Sequence, residues 1–276
     1  MAVSTAPAKA PSAPPRRVGE LLREWRRRRR LSQLDLAVEA EVSARHLSFV
    51  ETGRASPSRE LVLHLAEHLD VPLRERNRLL LAAGYAPVYA ETPLEADAMA
   101  PVRAALDRLL AGHEPNPAVV VDQRWDLVAA NATAQALMTE GVAPHLLRPP
   151  INTARVSLHP EGLAPRIVNL AEYGAHLVTR LQRQAALAGD AALADLSEEL
   201  RSYPGVGEPA AVPEDVDLLF VPLRLRVDGG ELRFFSTIAT FGTALDVTLA
   251  ELAIEQFFPA DEGTAERLRA AASARH

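Results

Sequence analysis

The sequence contains no cysteine. Disulfides, thiolate metal sites and cysteine nucleophiles are therefore excluded. It also has no apolar run of the roughly 20 residues that a bilayer-spanning helix needs, and its first residues lack the apolar stretch of a signal peptide. We therefore expect a cytoplasmic protein with no membrane segment.

The usual catalytic and metal-binding motifs are also missing. There is no Gly-x-Ser-x-Gly nucleophile elbow. Gly205-Val206-Gly207 neither follows a predicted strand nor opens a predicted helix, so it indicates a turn rather than a phosphate cradle. His64 and His68 have the i, i+4 spacing of a zinc-binding helix, but no third ligand is evident and the apolar stripe of that helix places them outside. We predict no metal, no cofactor and no enzymatic activity.

The charge of the chain is divided unequally along its length. Residues 16–90 contain fourteen Arg and ten acidic residues, whereas residues 91–276 contain fifteen Arg and twenty-six acidic residues. With 276 residues, 48% of them hydrophobic, the chain can form two buried cores. We predict a disordered arm over 1–15, a basic domain over 16–90 that would meet phosphates, and an acidic remainder.

The basic domain has the pattern of five short helices. Val18, Leu21, Leu22 and Trp25 fall at i, i+3, i+4 and i+7, which predicts the first helix. Ser32 is expected to cap a helix over 33–40, with Leu34 and Ala37 facing inward. A fourth helix is expected to start with Ser56 as its cap and Pro57 at its first position, and a fifth to span about 73–83.

The third helix completes a helix-turn-helix pattern. Ser43 is expected to cap a helix over 44–51, which Gly53 ends because it tolerates a left-handed conformation. A small residue in the first helix, a tight turn and apolar anchors in the second are what the motif requires, and Ala37, Val42, Leu47 and Val50 provide them. The residues between the anchors point outward, toward a DNA major groove: Ala44, Arg45, His46, Ser48 and Phe49.

These segments resemble the phage-repressor (XRE/Cro) helix-turn-helix family. The resemblance is carried by Leu31-Ser32-Gln33-Leu34-Asp35-Leu36-Ala37, Val42-Ser43, Val50-Glu51-Thr52-Gly53-Arg54 and Pro57-Ser58. It implies a phage-repressor-like all-α domain that binds double-stranded DNA as a homodimer. The implied base-reading residues are Ser43, Ala44, Arg45, His46, Ser48 and Phe49, and the implied phosphate contacts are Gln33, Arg54 and Arg27. Arg45 suits a bidentate contact with guanine, and Phe49 suits a thymine methyl group.

One position departs from that family. Glu41 occupies a turn position that is commonly glycine, because its left-handed conformation costs other residues roughly 1 kcal/mol or more. The alternative interpretation of the domain is a helical bundle whose run Arg26–Arg30 is only a solvated face. The arginine run alone favours that alternative, whereas the ordered caps and anchors favour DNA binding.

The remainder predicts a linker and connecting helix over 91–112 and an α+β domain over 113–276. Its antiparallel sheet should have about five strands, because short alternating segments are separated by turn residues. The predicted strands span 118–121, 126–130, 216–227, 231–242 and 251–258. A long helix is expected over 167–188, another up to about Arg201, and a terminal helix from Thr264.

This second domain resembles the MmyB-like ligand-binding domain, a PAS-like module. The resemblance lies in residues 122–131, 152–155, 158–166 and 234–242. It implies a lipophilic small ligand, such as a fatty acid, held between sheet and helices. Phe234 and Ile238 would line the site, and His159, Arg166 and Asn169 would orient a head group. The alternatives are a packed core, a loop that only caps a helix, a dimerisation scaffold, or a tethered enzyme domain.

Overall fold

A computed structural model of the chain describes residues 17–207 and 220–274. Its backbone contacts divide it into two compact units, with the boundary between Tyr89 and Ala90. The predicted arm over 1–15 and residue Arg16 lie outside the described residues. Among the helices that are described, none is both long enough and apolar enough to cross a membrane.

The first unit consists of five helices, as the sequence predicted. They are α1 Val18–Arg28, α2 Gln33–Glu39, α3 Ala44–Glu51, α4 Arg59–His68 and α5 Leu73–Ala82. Each contributes at least one fully buried side chain to a common core, including Leu22, Leu36, Leu47, Leu65 and Leu79. Packing of these apolar faces, rather than helix propensity, stabilises helices this short.

Two local predictions in this unit were wrong. The cap of α4 is Ser58, whose hydroxyl accepts a hydrogen bond from the Leu61 amide at 3.2 Å, and not Ser56. Pro57 therefore precedes the cap and is buried, with its carbonyl accepting a hydrogen bond from the Tyr85 hydroxyl. Leu34 is 63% exposed, because the inward face of α2 is formed by Leu36 and Ala37.

The arginine run is not merely a solvated face. Arg26 is buried and forms an ion pair with Glu51. Arg29 donates from its Nε atom to the Leu69 carbonyl and from its Nη2 atom to the Asp70 carbonyl, at the end of α4. These two members of the run are therefore held by partners inside the unit, and the interpretation of the whole run as a solvated face is wrong.

The second unit is a five-stranded antiparallel sheet with helices, as predicted. Its strands are β1 Ala118–Val121, β2 Leu127–Ala130, β3 Leu223–Val227, β4 Gly230–Thr240 and β5 Ala253–Pro259, in the spatial order β2-β1-β5-β4-β3. Its helices are α6 Ala100–Gly112, α7 Ala132–Thr139, α8 Thr153–Leu158, α9 Leu170–Ala188, α10 Ala191–Arg201, α11 Val247–Ala250 and α12 Glu262–Ser273.

Alternation along the central strands gives the sheet two different faces. Val120 and Ile254 pack on one face against Leu106 and Leu110 of α6. Val119 and Val121, which lie on either side of Val120 in the strand, pack on the opposite face, under α7. We call this second side, which also faces α8 and α9, the inner face.

Several predicted boundaries shift. The long helix α9 starts at Leu170 rather than Ile167, because Ile167 pairs with Leu225 and the Val168 amide donates to the Arg224 carbonyl. The described part of the strand predicted over 216–227 begins at Leu223, and residues 216–219 lie outside the described residues. The segment predicted as a linker and connecting helix packs within the second unit: Leu106 is part of its core, and the Thr92 hydroxyl donates to Asp246 at 2.7 Å.

Candidate functional sites

The two helices of the helix-turn-helix segment are both capped by their own sequence. Ser32 and Asp35 form a reciprocal capping box at the start of α2, with hydrogen bonds of 2.8 and 3.1 Å. Ser43 caps α3 by accepting a hydrogen bond from the His46 amide. Glu41 has a φ of 52° in the turn between them, and Gly53 has a φ of 71° after α3. The left-handed conformation expected at Glu41 is therefore present.

The helix α3 presents one exposed face. Leu47 and Val50 are each 1% exposed and anchor the helix in the core. Among the predicted base-reading residues, Ser43, Arg45 and His46 are exposed, and Ala44, Ser48 and Phe49 are half-buried. The Arg45 guanidinium carbon lies 5.4 Å from the centroid of the Phe49 ring. This cation–π contact holds the arginine along the helix surface, where its planar donors remain available.

The three predicted phosphate contacts have different surroundings. The side chains of Arg27 and Arg54 are exposed, and within residues 17–207 and 220–274 neither forms a hydrogen bond or ion pair. Gln33 is half-buried at the start of α2, and its Nε2 atom donates to Glu51 at 2.7 Å. The Gln33 side chain is therefore oriented by an internal partner.

Glu51 connects three helices at the end of α3. It accepts hydrogen bonds from Arg26 of α1 at 2.7 and 2.8 Å and from Gln33 of α2. Desolvation by burial acts to raise the pKa of Glu51, but the hydrogen bonds from Arg26 and Gln33, together with the positive charges of Arg26 and Arg23, lower it below its ordinary value. The carboxylate is therefore kept ionised. Glu51, the first residue of the Glu-Thr-Gly-Arg motif, thus has a structural role, because it connects α1, α2 and α3.

Gly19 is a residue that the sequence analysis missed. A Cβ atom at this position would lie 2.2 Å from the Val50 carbonyl oxygen and 2.9 Å from the Glu51 carbonyl oxygen. Only glycine therefore allows α1 to approach the last turn of α3 this closely. A glycine inside an amphipathic helix was the available signal for such a close approach.

The second unit contains a cavity between the inner face of the sheet and α7, α8 and α9. Its empty space is about 650 Å³, which includes its opening to solvent. It is lined mainly by apolar side chains, with a few polar ones: Pro117, Val119, Trp125, Ala134, Leu137, Met138, Thr153, Ser157, Leu163, Tyr173, Leu177, Leu223, Leu225, Phe234, Glu255 and Phe257. An apolar pocket with a few convergent polar groups is typical of small-molecule sites.

Glu255 in β5 is the acidic residue of the cavity lining. Its side chain is 9% exposed and forms an ion pair of 2.9 Å with Arg180 of α9. The Ser236 hydroxyl donates to the same carboxylate oxygen, Oε1, at 3.1 Å. Burial, with a smaller effect of Glu255, raises the pKa of the Tyr173 phenol well above its ordinary value, so this hydroxyl stays protonated.

The predicted ligand residues are not brought together at this cavity. Phe234 lines it, and Ile238 is the register partner of Glu255 but is 46% exposed. Arg166 binds the Glu140 carboxylate at 2.7 Å and backbone carbonyls. Asn169 donates to the Pro222 carbonyl and accepts from the Arg224 amide. Arg166 and Asn169 thus connect neighbouring loops and strands.

His159 lies in a separate cluster. His145, His159 and Glu161 offer donor atoms that all lie within 4.8 Å of one another, the one group of the described residues arranged so that it could hold a metal ion. The Nδ1 atom of His159 accepts a hydrogen bond from the Glu161 amide at 3.0 Å, and its ring contacts Tyr203 edge-on. This ring is not among the side chains that line the cavity.

The sequence analysis missed Glu255 and Tyr173, which line the cavity, and Arg180, which pairs with Glu255. The one signal was Glu255, an acidic residue whose alternation with Phe257 places it on the otherwise apolar inner face of β5. Arg180 and Tyr173 carry no local signal, because both lie on a long amphipathic helix where polar residues are ordinary.

The architecture defines a class: a basic helix-turn-helix unit joined to an α+β unit that encloses an apolar cavity. Residues 17–79 match the model of a helix-turn-helix domain, and residues 102–271 match the model of the MmyB-like transcription regulator ligand binding domain. The second match covers more than half of the chain. The chain therefore belongs to the MmyB-like family and is a helix-turn-helix transcription regulator with a ligand-binding domain. No match was found among curated proteins.

Proposed function

We propose that this regulator binds its operator as a homodimer and reads bases with the exposed face of α3. The observation that supports this is the pairing of Arg45 with Phe49 on that face, in a helix fixed at both ends. A guanidinium that is already oriented loses less side-chain entropy on binding than a free one. Arg45 would donate to O6 and N7 of guanine, and Phe49 would contact a thymine methyl group.

The remaining residues of this surface have supporting roles. Ser43, Ala44, His46 and Ser48 lie beside Arg45 and would contact neighbouring base edges. Arg27 and Arg54, which are exposed and unpaired within the described residues, would neutralise phosphates on either side, and Gln33 would approach a phosphate from the start of α2. Two such heads related by two-fold symmetry would match a palindrome with half-sites about one DNA turn apart.

The second part of the proposal concerns the cavity. We infer that it holds a lipophilic small molecule, and that the occupied and empty states differ in operator affinity. The support is a mainly apolar lining that includes a few polar side chains. A coupling between two such sites is typically worth ~1 to 3 kcal/mol.

The DNA-binding proposal is tested with an operator selected from random duplexes by the purified full chain. Arg45→Ala should lower the affinity for that operator by ~1 to 3 kcal/mol and relax the base preference at one position. Arg54→Ala should weaken operator and random DNA alike and reduce the salt slope by about one. Arg78→Ala, which removes an exposed arginine on α5, is the matched control and should change neither.

Equal losses on operator and random DNA for Arg45→Ala would contradict the base-reading role. Failure to enrich any sequence would contradict specific binding itself.

The cavity proposal is tested by mild denaturation of the purified full chain. Mass spectrometry should then detect a lipophilic molecule that co-purified with the chain and was released from it. Added ligand should then shift operator affinity. A chain that carries and binds none would instead support a dimerisation scaffold.

A further inference from the structure

The charged side chain of the cavity lining, Glu255, is paired with a cation, Arg180. Glu255 lies in β5, directly opposite Val119 of β1 and Ile238 of β4. Arg180 reaches it from α9 and also lies over the Trp125 ring, with its guanidinium carbon 4.3 Å from the ring centroid. Because the two charges are formally equal and opposite, the site is neutral as it stands.

Glu255 nevertheless has one oxygen without a partner. Both hydrogen bonds to its carboxylate, from Arg180 and Ser236, end on Oε1. Oε2 accepts no hydrogen bond from any residue that the structure describes. The Tyr173 hydroxyl, which also belongs to the cavity lining, forms no hydrogen bond with the described residues either. The Glu255 side chain is more than nine-tenths buried and lines the cavity. A molecule that fills the cavity displaces water from this oxygen, so a molecule that carries a hydrogen-bond donor replaces what the carboxylate loses, whereas one without a donor does not.

We propose that the cavity takes an elongated apolar molecule that ends in a neutral hydrogen-bond donor, such as a primary alcohol or an amide, in preference to a free fatty acid or an amine. The inference rests on the proposed function, since it assumes that the second domain binds a lipophilic molecule. A hydroxyl group can donate to Oε2 of Glu255 and accept from the Tyr173 hydroxyl, so that both unpartnered groups are satisfied.

Charged head groups fit less well because Arg180 and Glu255 already neutralise each other. A carboxylate beside Glu255 would bury a second negative charge, and an ammonium beside Arg180 would bury a second positive one. Either leaves an uncompensated charge in a low-dielectric site, which is costly. A fatty acid could bind well only if Arg180 released Glu255, and this is a measurable alternative.

The experiment is a calorimetric titration of the full chain, at pH 7.5, with dodecanol, dodecanoic acid and dodecylamine below their aggregation limits. The alcohol should bind at least tenfold more tightly than the acid or the amine. Glu255→Gln should reverse the preference toward the acid, because Arg180 then lacks its internal partner. Tyr173→Phe keeps the ion pair intact and should weaken the alcohol about tenfold, while Glu266→Gln, which changes an exposed acidic residue, should change nothing.

The possible failures are distinguishable. Binding of the acid as tightly as the alcohol, or a preference that Glu255→Gln leaves unchanged, overturns the inference but leaves a ligand-binding domain in place. Binding of none of the three molecules contradicts the proposed function and the inference together. If Glu255→Gln lowers the thermal midpoint so far that it cannot be titrated, Tyr173→Phe decides: an unchanged affinity for the alcohol overturns the inference.

Discussion

Arg26 and Glu51 form a bidentate ion pair inside the first unit, although 25 residues separate them in sequence. The Arg26 Nε atom lies 2.7 Å from Oε1 of Glu51 and its Nη2 atom lies 2.8 Å from Oε2. The side chains are 9% and 1% exposed. The pair joins the end of α1 to the end of α3, so it positions the helix that we propose reads DNA.

The first prediction concerns the loss of one partner. Arg26→Met leaves the Glu51 carboxylate buried and short of donors, so the unfolding free energy of the unit should fall by about 3–5 kcal/mol. Arg26→Met combined with Glu51→Leu removes both charges and should recover most of this loss. The measurement is urea unfolding of the full chain in a Trp125→Phe background, followed by the emission of Trp25.

The control for this prediction is an exposed ion pair of the same unit. Arg78 pairs with Glu75 on α5, and its side chain is 65% exposed. Arg78→Met should therefore change the unfolding free energy by less than about 1 kcal/mol. A double variant as unstable as Arg26→Met alone would show that packing, rather than the unpaired charge, is responsible.

The same pair predicts the response to acid. The pKa of Glu51 is lowered in the folded chain from its ordinary value of 4.5. Its contribution to stability is therefore present above the ordinary value and is lost as the pH falls through the lowered folded pKa. Unfolding free energies measured from pH 7 down to about pH 3 should decline below pH 4.5, and the decline should be shallower in the Arg26→Met/Glu51→Leu variant. Parallel curves would contradict this assignment.

The sequence predicted the helix-turn-helix segment well because its signals are local. Ser32, Ser43 and Gly53 act through hydrogen bonds or backbone angles within a few residues. The role of Arg26 could not be predicted in this way, since its partner Glu51 is brought close only by the packing of α1 on α3. Leu34 was misplaced because a helix of two turns offers two nearly equivalent apolar stripes.

The turn residue Glu41 gives the third prediction. Its φ of 52° lies in the left-handed region, which costs a residue with a Cβ atom roughly 1–2 kcal/mol. Glu41→Gly should therefore stabilise the first unit by about 1 kcal/mol. Part of this gain is offset because glycine increases the conformational entropy of the unfolded chain. Glu67→Gly is the control, because it makes the same change at an exposed helical position of α4 and should destabilise by about 1 kcal/mol. If the thermal midpoints of Glu41→Gly and Glu67→Gly moved in the same direction, strain at Glu41 would be contradicted.

In the second domain the sequence predicted the sheet but not its polar site. Alternation and turn residues were enough for the antiparallel strands, because each pairing is with a neighbour along the chain or is set by a buried face. The proposed head-group residues Arg166 and Asn169 instead bind neighbouring loops and strands. The ion pair of Arg180 with Glu255 joins residues 75 positions apart, so only the folded topology brings them together.

Gly19 carries the fourth prediction. Gly19→Ala would place a methyl group 2.2 Å from the Val50 carbonyl oxygen, so α1 must move away from α3. The expected cost is about 1–3 kcal/mol of unfolding free energy, with weaker operator binding as α3 shifts. Gly112→Ala is the control, because no atom lies within 4 Å of its added Cβ, and it should be neutral or stabilise α6 slightly. Wild-type stability and operator affinity in Gly19→Ala would show that the close approach is not required.

The last prediction separates a ligand cavity from an imperfectly packed core. Ala134 of α7 is 3% exposed and lines the cavity, so Ala134→Leu would place three more carbons in its empty space. Because existing space is filled, stability should change by less than about 1.5 kcal/mol, while binding of a lipophilic molecule should be lost. Ala132→Leu adds the same volume at an exposed position of the same helix and should leave binding intact. Calorimetric titration of both variants measures this difference. Equal binding by both would mean that the molecule lies outside this cavity, and Ala134 would then be only a core residue.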